Sequence, residues 1–305
     1  MLQVVADATA ERRGTVARGW LPAGARMLTC KRFFEDAMAT SRTVSALLAL
    51  RGRPQPLEAR VEPAENAVII DGRRVDASEL EWDTPAIGCL YGVALNFRGL
   101  LESLEPEFHR PPHDRPPLAP VLYIKPRNTW LAHRRSVPVP TGVDAVEIGA
   151  TLAVVIGRDA RRVARHRAAE VIAGYTIVND ISLPNAGLFR PPLRAKCRDG
   201  FCPVGPWVVP RDAVPAPDAL AIRAWVNGEL RMDNTTANLQ RDIAALIADV
   251  TEFMTLRAGD LLAVGVPEHP PLARAGDEVT VEVEGLGRLE STLVPEEILS
   301  GEILP

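Results

Sequence analysis

The sequence predicts a mixed, mainly β protein with a few helices. Short apolar or alternating runs recur from Leu57 to Val294, punctuated by turn signals at Asp71-Gly72, Asn227-Gly228 and between Gly285 and Gly287. Proline is abundant, at 27 residues, and concentrated in loops, which argues against a helical bundle. One segment alone has a clear helical repeat: Leu239, Ile243, Leu246, Ile247, Val250, Phe253 and Met254 recur at three and four. Asn234 or Thr235 is its expected cap, and it stops before Gly259.

With 305 residues there is room for one large domain and a smaller appendage. Apolar residues make up 47% and charged residues 24%, an ordinary globular balance. The formal charge of -4 supplies no basic field, so nucleic acid is not an expected partner. No apolar run approaches the ~20 residues that span a bilayer, so no membrane association is expected. No signal peptide is read at the N-terminus. Cys30, Cys89, Cys197 and Cys202 lack metal-finger or redox-pair spacing and are read as packing residues of a cytoplasmic protein.

Residues 1–55 read as an extension of uncertain order, rich in Ala and Arg, with a short helix expected over Ser41 to Leu50. Residues 56–84 turn to a small β region around the Asp71-Gly72 hairpin, and residues 85–305 form the main domain. Within it, Tyr91 to Asn96 and Val121 to Ile124 read as strands, and Arg98 to Phe108 as a short helix. Asp159 to Val171, with Arg161, Arg162, Arg165 and Arg167, reads as a surface helix with a solvated face.

The chain is organised around residues 174–206. Tyr175 to Val178 is a buried strand that ends in Asn179-Asp180, followed by a loop and then Arg194, Lys196, Arg198 and Asp199. A carboxylate at a strand tip facing fixed cations from the next loop is a usual way to hold an anionic substrate or a metal. Asp180 is thus a candidate for the chemistry, with Arg194 and Arg198 as candidate substrate-binding cations.

These segments resemble the fumarylacetoacetate hydrolase family. The resemblance is carried by YGVALNFR (91–98), YIKPRNT (123–129), GATLAVVIG (149–157), AGYTIVNDISLP (173–184), RAKCRDGFCPVG (194–205), NGELRMDNTTANLQ (227–240) and LRAGDLLAVGVP (256–267). It covers roughly residues 57 to 300 and points to a branch of isomerase/decarboxylases of aromatic catabolism, whose two homologous units occur fused or as separate subunits. The present chain is most similar to the first unit. The resemblance implies a rolled β-sandwich with a few helices, oligomeric assembly, and a substrate carrying a 2-oxo acid and further carboxylates.

It also implies a cofactor, Mg²⁺ or a similar divalent cation, held by a Glu-x-Glu pair and the Asp matching Asp180. Hard cations of this kind take oxygen ligands, and alternate strand residues share one face. Gly149 and Thr151 stand where the Glu pair is expected, which leaves Asp180 alone. Glu147 shares strand parity with 149 and 151 if the strand extends that far, about 6.6 Å away along it. The His and Glu of the family lid correspond to Leu100 and Ser103, and the usual Gly-Thr-Pro reads Gly265-Val266-Pro267. His109 and His113 read as surface residues, and Glu102 is one residue out of register. Lys125 and Lys196 match lysines that act as anion partners or proton donors, and Thr236 matches a threonine that contacts the substrate carboxylate. Two functions follow. Either the chain is a component of the isomerase/decarboxylase with its own site, or it is a degenerate, structural subunit that supports a metal-competent homologue.

Overall fold

The computed structural model describes residues 43–85, 88–111, 115–184 and 192–299. Among them, the first four strands form an antiparallel meander: β1 (Val44–Leu48), β2 (Leu57–Glu62), β3 (Ala67–Ile70) and β4 (Arg73–Asp76). Asp71 and Gly72 join β3 to β4 with φ of 50° and 77°, the left-handed pair that a tight hairpin turn requires.

β1 corrects the helix expected over Ser41 to Leu50. Val44–Leu48 pairs with β2 and, through Leu47 and Leu48, with Val208 and Trp207. Ala46 and Leu48 point inward and are buried, but the outward Leu47 is also apolar. That residue hides the period-2 pattern. The sheet therefore starts inside the stretch assigned to the extension, while residues 1–42, with Cys30, lie outside the described residues.

The chain continues through β5 (Leu90–Ala94), β6 (Val121–Lys125), β7 (Trp130–Leu131), β8 (Ser136–Val139), β9 (Val146–Glu147), β10 (Ala150–Ile156), β11 (Ile172–Asn179) and β12 (Cys202–Pro210). It closes with β13 (Ala221–Val226), β14 (Glu229–Thr235), β15 (Leu261–Ala263), β16 (Leu272–Ala273), β17 (Glu278–Val283) and β18 (Gly287–Pro295). One sheet has the order β4-β3-β2-β1-β12-β11-β10-β15-β5-β6, with β7 beside β12. A second has the order β14-β13-β17-β18-β8, and β16 pairs with β9.

The second sheet lies against β10, β11 and β12. Leu152, Val154 and Ile156 face it, in one cluster with Ile177, Val209, Ile222, Ala224, Val281 and Val283. Ala153 and Val155 join a separate apolar cluster with Val178, Val204, Val208, Leu261 and Ala263. β10 is buried on both sides, which is why LAVVI reads as an unbroken apolar run. The arrangement is the mainly β fold expected, with few helices.

The helix Ile243–Phe253 is capped by Asp242, whose carboxylate accepts from Ala245 N at 2.8 Å. Ile243, Leu246, Ile247 and Val250 are buried, each stabilising by about 1.5–3 kcal/mol. Leu239 and Thr235, assigned to this helix from the sequence, belong to a preceding 3₁₀ turn, Thr236–Asn238, which Thr235 caps. The expected surface helix of Asp159 to Val171 is also shorter, a 3₁₀ segment over Arg165–Val171. Helices Arg98–Ser103 and Glu105–Phe108 occupy the expected place. Among the described residues, no helix is long and apolar enough to cross a membrane.

Candidate active site: a buried carboxylate between two lysines

Asp180 follows the last residue of β11, and its backbone N–H donates to Gly149 O at 2.8 Å, which fixes it beside the start of β10. β6, the last strand of the sheet, presents Tyr123 and Lys125 on one face because they are two residues apart. Gly92 lies opposite Tyr123 in the β5–β6 register. A Cβ at Gly92 would stand 2.2 Å from the Tyr123 ring, so the absence of a side chain there lets the ring lie across the neighbouring strand.

Lys196 comes from the short helix Leu193–Lys196, which is tied to the end of the Asp180 segment by Leu183 N donating to Ala195 O at 3.0 Å. The chain then turns at Gly200, whose φ of 71° suits glycine, and Phe201 N donates to Arg198 O at 3.2 Å. That turn aims the Phe201 carbonyl at Lys125.

Lys125, 1% exposed, donates to the carbonyls of Ile181 (2.7 Å), Lys196 (2.7 Å) and Phe201 (2.8 Å). Its Nζ also lies 2.9 Å from Asp180 Oδ1. The three protons are committed to carbonyls, so the approach to Oδ1 is an ion pair without hydrogen-bond alignment. Asp180 Oδ2 accepts from Lys196 Nζ at 2.8 Å and from the Tyr123 hydroxyl. Lys196 Nζ sits 4.8 Å from the centre of the Tyr123 ring, in cation–π contact.

Burial by itself pushes the Asp180 carboxyl up. Lys125, Lys196 and the Tyr123 hydroxyl outweigh it and hold the carboxyl well below the usual carboxylate range. Tyr123 moves the other way: burial, then the adjacent carboxylate, keep its phenol well above the ordinary value. Lys125, Lys196 and the Tyr123 hydroxyl thus favour the ionised form of Asp180. Two lysine side chains meet this one carboxylate, and Glu147 is a further carboxylate close enough for Lys196 to act on its titration. Lys196, with 18% of its side chain exposed, is the partner of Asp180 that reaches toward solvent.

The residues do not fit the expected divalent cation. Both Asp180 oxygens already face cations or donors. Gly149 has no side chain, and the buried Thr151 hydroxyl donates to Leu152 O at 3.2 Å. The strand does not run through to Glu147, which lies in the separate β9 and bridges to Ser182. The Glu147 carboxylate accepts from Ser182 Oγ at 2.9 Å. Burial raises its pKa, Ser182 and Lys196 lower it, and Asp180 raises it again, so it feels the centre without joining it. Among the described residues, no three His, Cys, Asp or Glu side chains are grouped to hold a metal.

Other candidates fall elsewhere. The Thr236 hydroxyl donates to Pro217 O and accepts from Leu220 N, both at 2.8 Å, so it ties its own turn to the neighbouring segment. Arg194 is exposed. Arg198 lines a pocket of about 210 Å³ with Pro138, Pro140, Cys197, Asp199, Phe201 and Glu296. Leu100 packs on the core, and Ser103 Oγ donates to Leu100 O within its own short helix. His109 is exposed and pairs with Glu105 at 2.8 Å, and His113 lies outside the described residues. His133 is buried, accepts from Glu290 N, and is pushed down to about 3, first by burial, so it stays neutral. The sequence reading missed Tyr123, although its two-residue spacing from Lys125 was available to find it.

Two such sheets, with a strand-tip carboxylate set between two lysines, form an architecture shared with isomerases and hydrolases. The chain belongs to the fumarylacetoacetate hydrolase family: residues 89–294 match its fumarylacetoacetate (FAA) hydrolase C-terminal domain. It is 38% identical over 235 residues to the 4-hydroxyphenylacetate degradation bifunctional isomerase/decarboxylase of Salmonella dublin, covering 76% of this chain and 53% of that protein. The chain thus spans about half the length of that relative. The 5-carboxymethyl-2-hydroxymuconate delta-isomerase from Mycobacterium smegmatis superposes with a TM-score of 0.64 at 27% identity, over 83% of this chain and 99% of that one. Maleylpyruvate hydrolase from Sphingobium sp. SYK-6, solved with a manganese(II) ion and pyruvate, gives 0.59 at 27% identity, over 73% and 77%. A divalent cation is typical of the family.

Proposed function

We propose that the chain is a component of the isomerase/decarboxylase of 4-hydroxyphenylacetate catabolism (2-hydroxyhepta-2,4-diene-1,7-dioate isomerase / 5-oxopent-3-ene-1,2,5-tricarboxylate decarboxylase), working in the cytoplasm on a 2-oxo dicarboxylate or tricarboxylate. The similarity to the Salmonella dublin enzyme supports the pathway. The part-exposed Lys196 side chain supports an anionic substrate, whose carboxylate the exposed side of the ammonium would hold. In this reading Asp180 and Tyr123 position Lys196, and Lys125 holds Asp180.

One observation favours a supporting role for this chain within that enzyme. Asp180 is already neutralised by Lys125 and Lys196, and neither Gly149 nor Thr151 supplies a metal carboxylate. The electrophile that stabilises an enolate in such chemistry would then come from a metal-competent homologue, with which this chain assembles. The test is an assay of the purified chain alone, of a homologue carrying Glu-x-Glu alone, and of the two mixed. Activity that rises on mixing, with a complex seen by light scattering, is the expected outcome. Full decarboxylase and isomerase turnover by this chain alone would refute the supporting role. A mixture that neither associates nor gains activity would refute the assembly.

A further inference from the structure

The Lys125 ammonium occupies a shell made entirely of oxygen: one carboxylate oxygen and the carbonyls of Ile181, Lys196 and Phe201, at 2.7–2.9 Å. An all-oxygen shell with one negative ligand is the chemistry of a hard-cation site. Here a strand residue delivers the cation, and the shell draws together the end of the Asp180 segment, the short helix before Cys197 and the turn at Gly200. We propose that the Lys125 ammonium is the resident cation of this centre, built into the chain, and that the centre is closed to divalent ions by charge and by backbone packing.

The charge argument is direct. A divalent ion reaching Asp180 would enter beside two ammoniums that already contact both of its oxygens. The packing argument rests on Gly149. A Cβ there would stand 2.2 Å from the Asp180 carbonyl oxygen, a contact with backbone that no rotamer relieves. The strands are locked at that spacing, because Asp180 N donates to Gly149 O at 2.8 Å and Gly149 N donates to Asn179 Oδ1 at 3.1 Å. The missing ligand at 149 is therefore more than an absent side chain. The space for it has been closed by the neighbouring strand.

The test reads metal uptake and stability, not turnover, so it is independent of the substrate assignment. Lys125→Ala removes the ammonium and leaves a cavity of the size and polarity of n-propylammonium. The variant is expected to melt about 10 °C below the wild type and to recover in a saturable manner with n-propylammonium. Tetramethylammonium, which has no N–H to donate, is expected to leave it unchanged. By titration calorimetry, neither the wild type nor the Gly149→Glu/Thr151→Glu chain is expected to take up Mg²⁺ or Mn²⁺. The calorimetry on the wild type decides the matter even if Lys125→Ala does not fold. Uptake of one Mg²⁺ or Mn²⁺ per wild-type chain, lost in Asp180→Asn, would overturn the proposal. So would a folded Lys125→Ala chain that melts with the wild type or ignores n-propylammonium.

Discussion

Glu170 and Asp180 each sit between two cations, and they differ in burial. Glu170 accepts from Arg167 through both of its oxygens and pairs with Arg158 at 2.8 Å, with 45% of its side chain exposed. Asp180 meets Lys125 and Lys196 at 2.9 and 2.8 Å and is 1% exposed. The Arg167 hydrogen bond is the largest influence holding the Glu170 carboxyl down to about 2, and Asp180 is held low too. Similar geometry does not mean similar consequence. Water can replace either partner of Glu170, and exposed pairs of this kind add little. Lys125 is buried, so removing one partner there strands a charge.

The largest effect that sharpens this contrast is expected from Asp180→Ala. It leaves two ammoniums facing each other, one of them buried, and should lower unfolding stability by about 3–5 kcal/mol, measured by urea denaturation. The same variant tests the acid limb. A carboxyl whose folded pKa is depressed stabilises above its unfolded value and loses that contribution as pH falls through the folded one. The wild type should therefore weaken below about pH 4, and Asp180→Ala should lack that share of the loss. Equal acid sensitivity in both chains would break the contrast.

Gly92→Ala comes next. Its Cβ meets the Tyr123 ring at 2.2 Å, and overpacking of this kind costs about 1–3 kcal/mol. The ring must move, taking the hydroxyl off Asp180, so a change in the near-ultraviolet signal of Tyr123 should accompany the loss. Thr236→Val should cost about 1–3 kcal/mol through the two broken hydrogen bonds, with carboxylate binding by calorimetry unchanged. Weakened binding at full stability would return Thr236 to the substrate site. The smallest effect belongs to Glu170→Gln, whose melting temperature should match the wild type. In about 1 M salt, where the screening length is about 3 Å, the Glu170 pKa should climb toward its ordinary value while that of Asp180 stays low.

Much of this was legible in the residues. Asp180 and Lys125 are charges set at the ends of apolar runs, Lys196 belongs to the charge cluster that follows, and the structure joins all three. Tyr123 escaped because an aromatic in a strand reads as core, and only the Lys125 register marks it as a partner. Glu147 shares the face of 149 and 151 only if one strand runs through them, and the strand is interrupted at Ile148 and Gly149 between β9 and β10. Thr236 was assigned by resemblance, and which carbonyl a hydroxyl meets depends on a segment 19 residues earlier, at Pro217. β1 depends on a still more distant partner, Trp207 and Val208, which local alternation does not reveal.

The close approach at Gly149 also has a meaning for change over generations. A single codon change that introduces a carboxylate there meets the Asp180 carbonyl before it meets any ion, so the step is penalised as soon as it is taken. Placing a carboxylate at 151 first gains nothing, since Lys125 and Lys196 still contact Asp180. The route to an ion-binding centre from this sequence thus runs through intermediates that fold less well and bind no better. The backbone spacing acts as a ratchet.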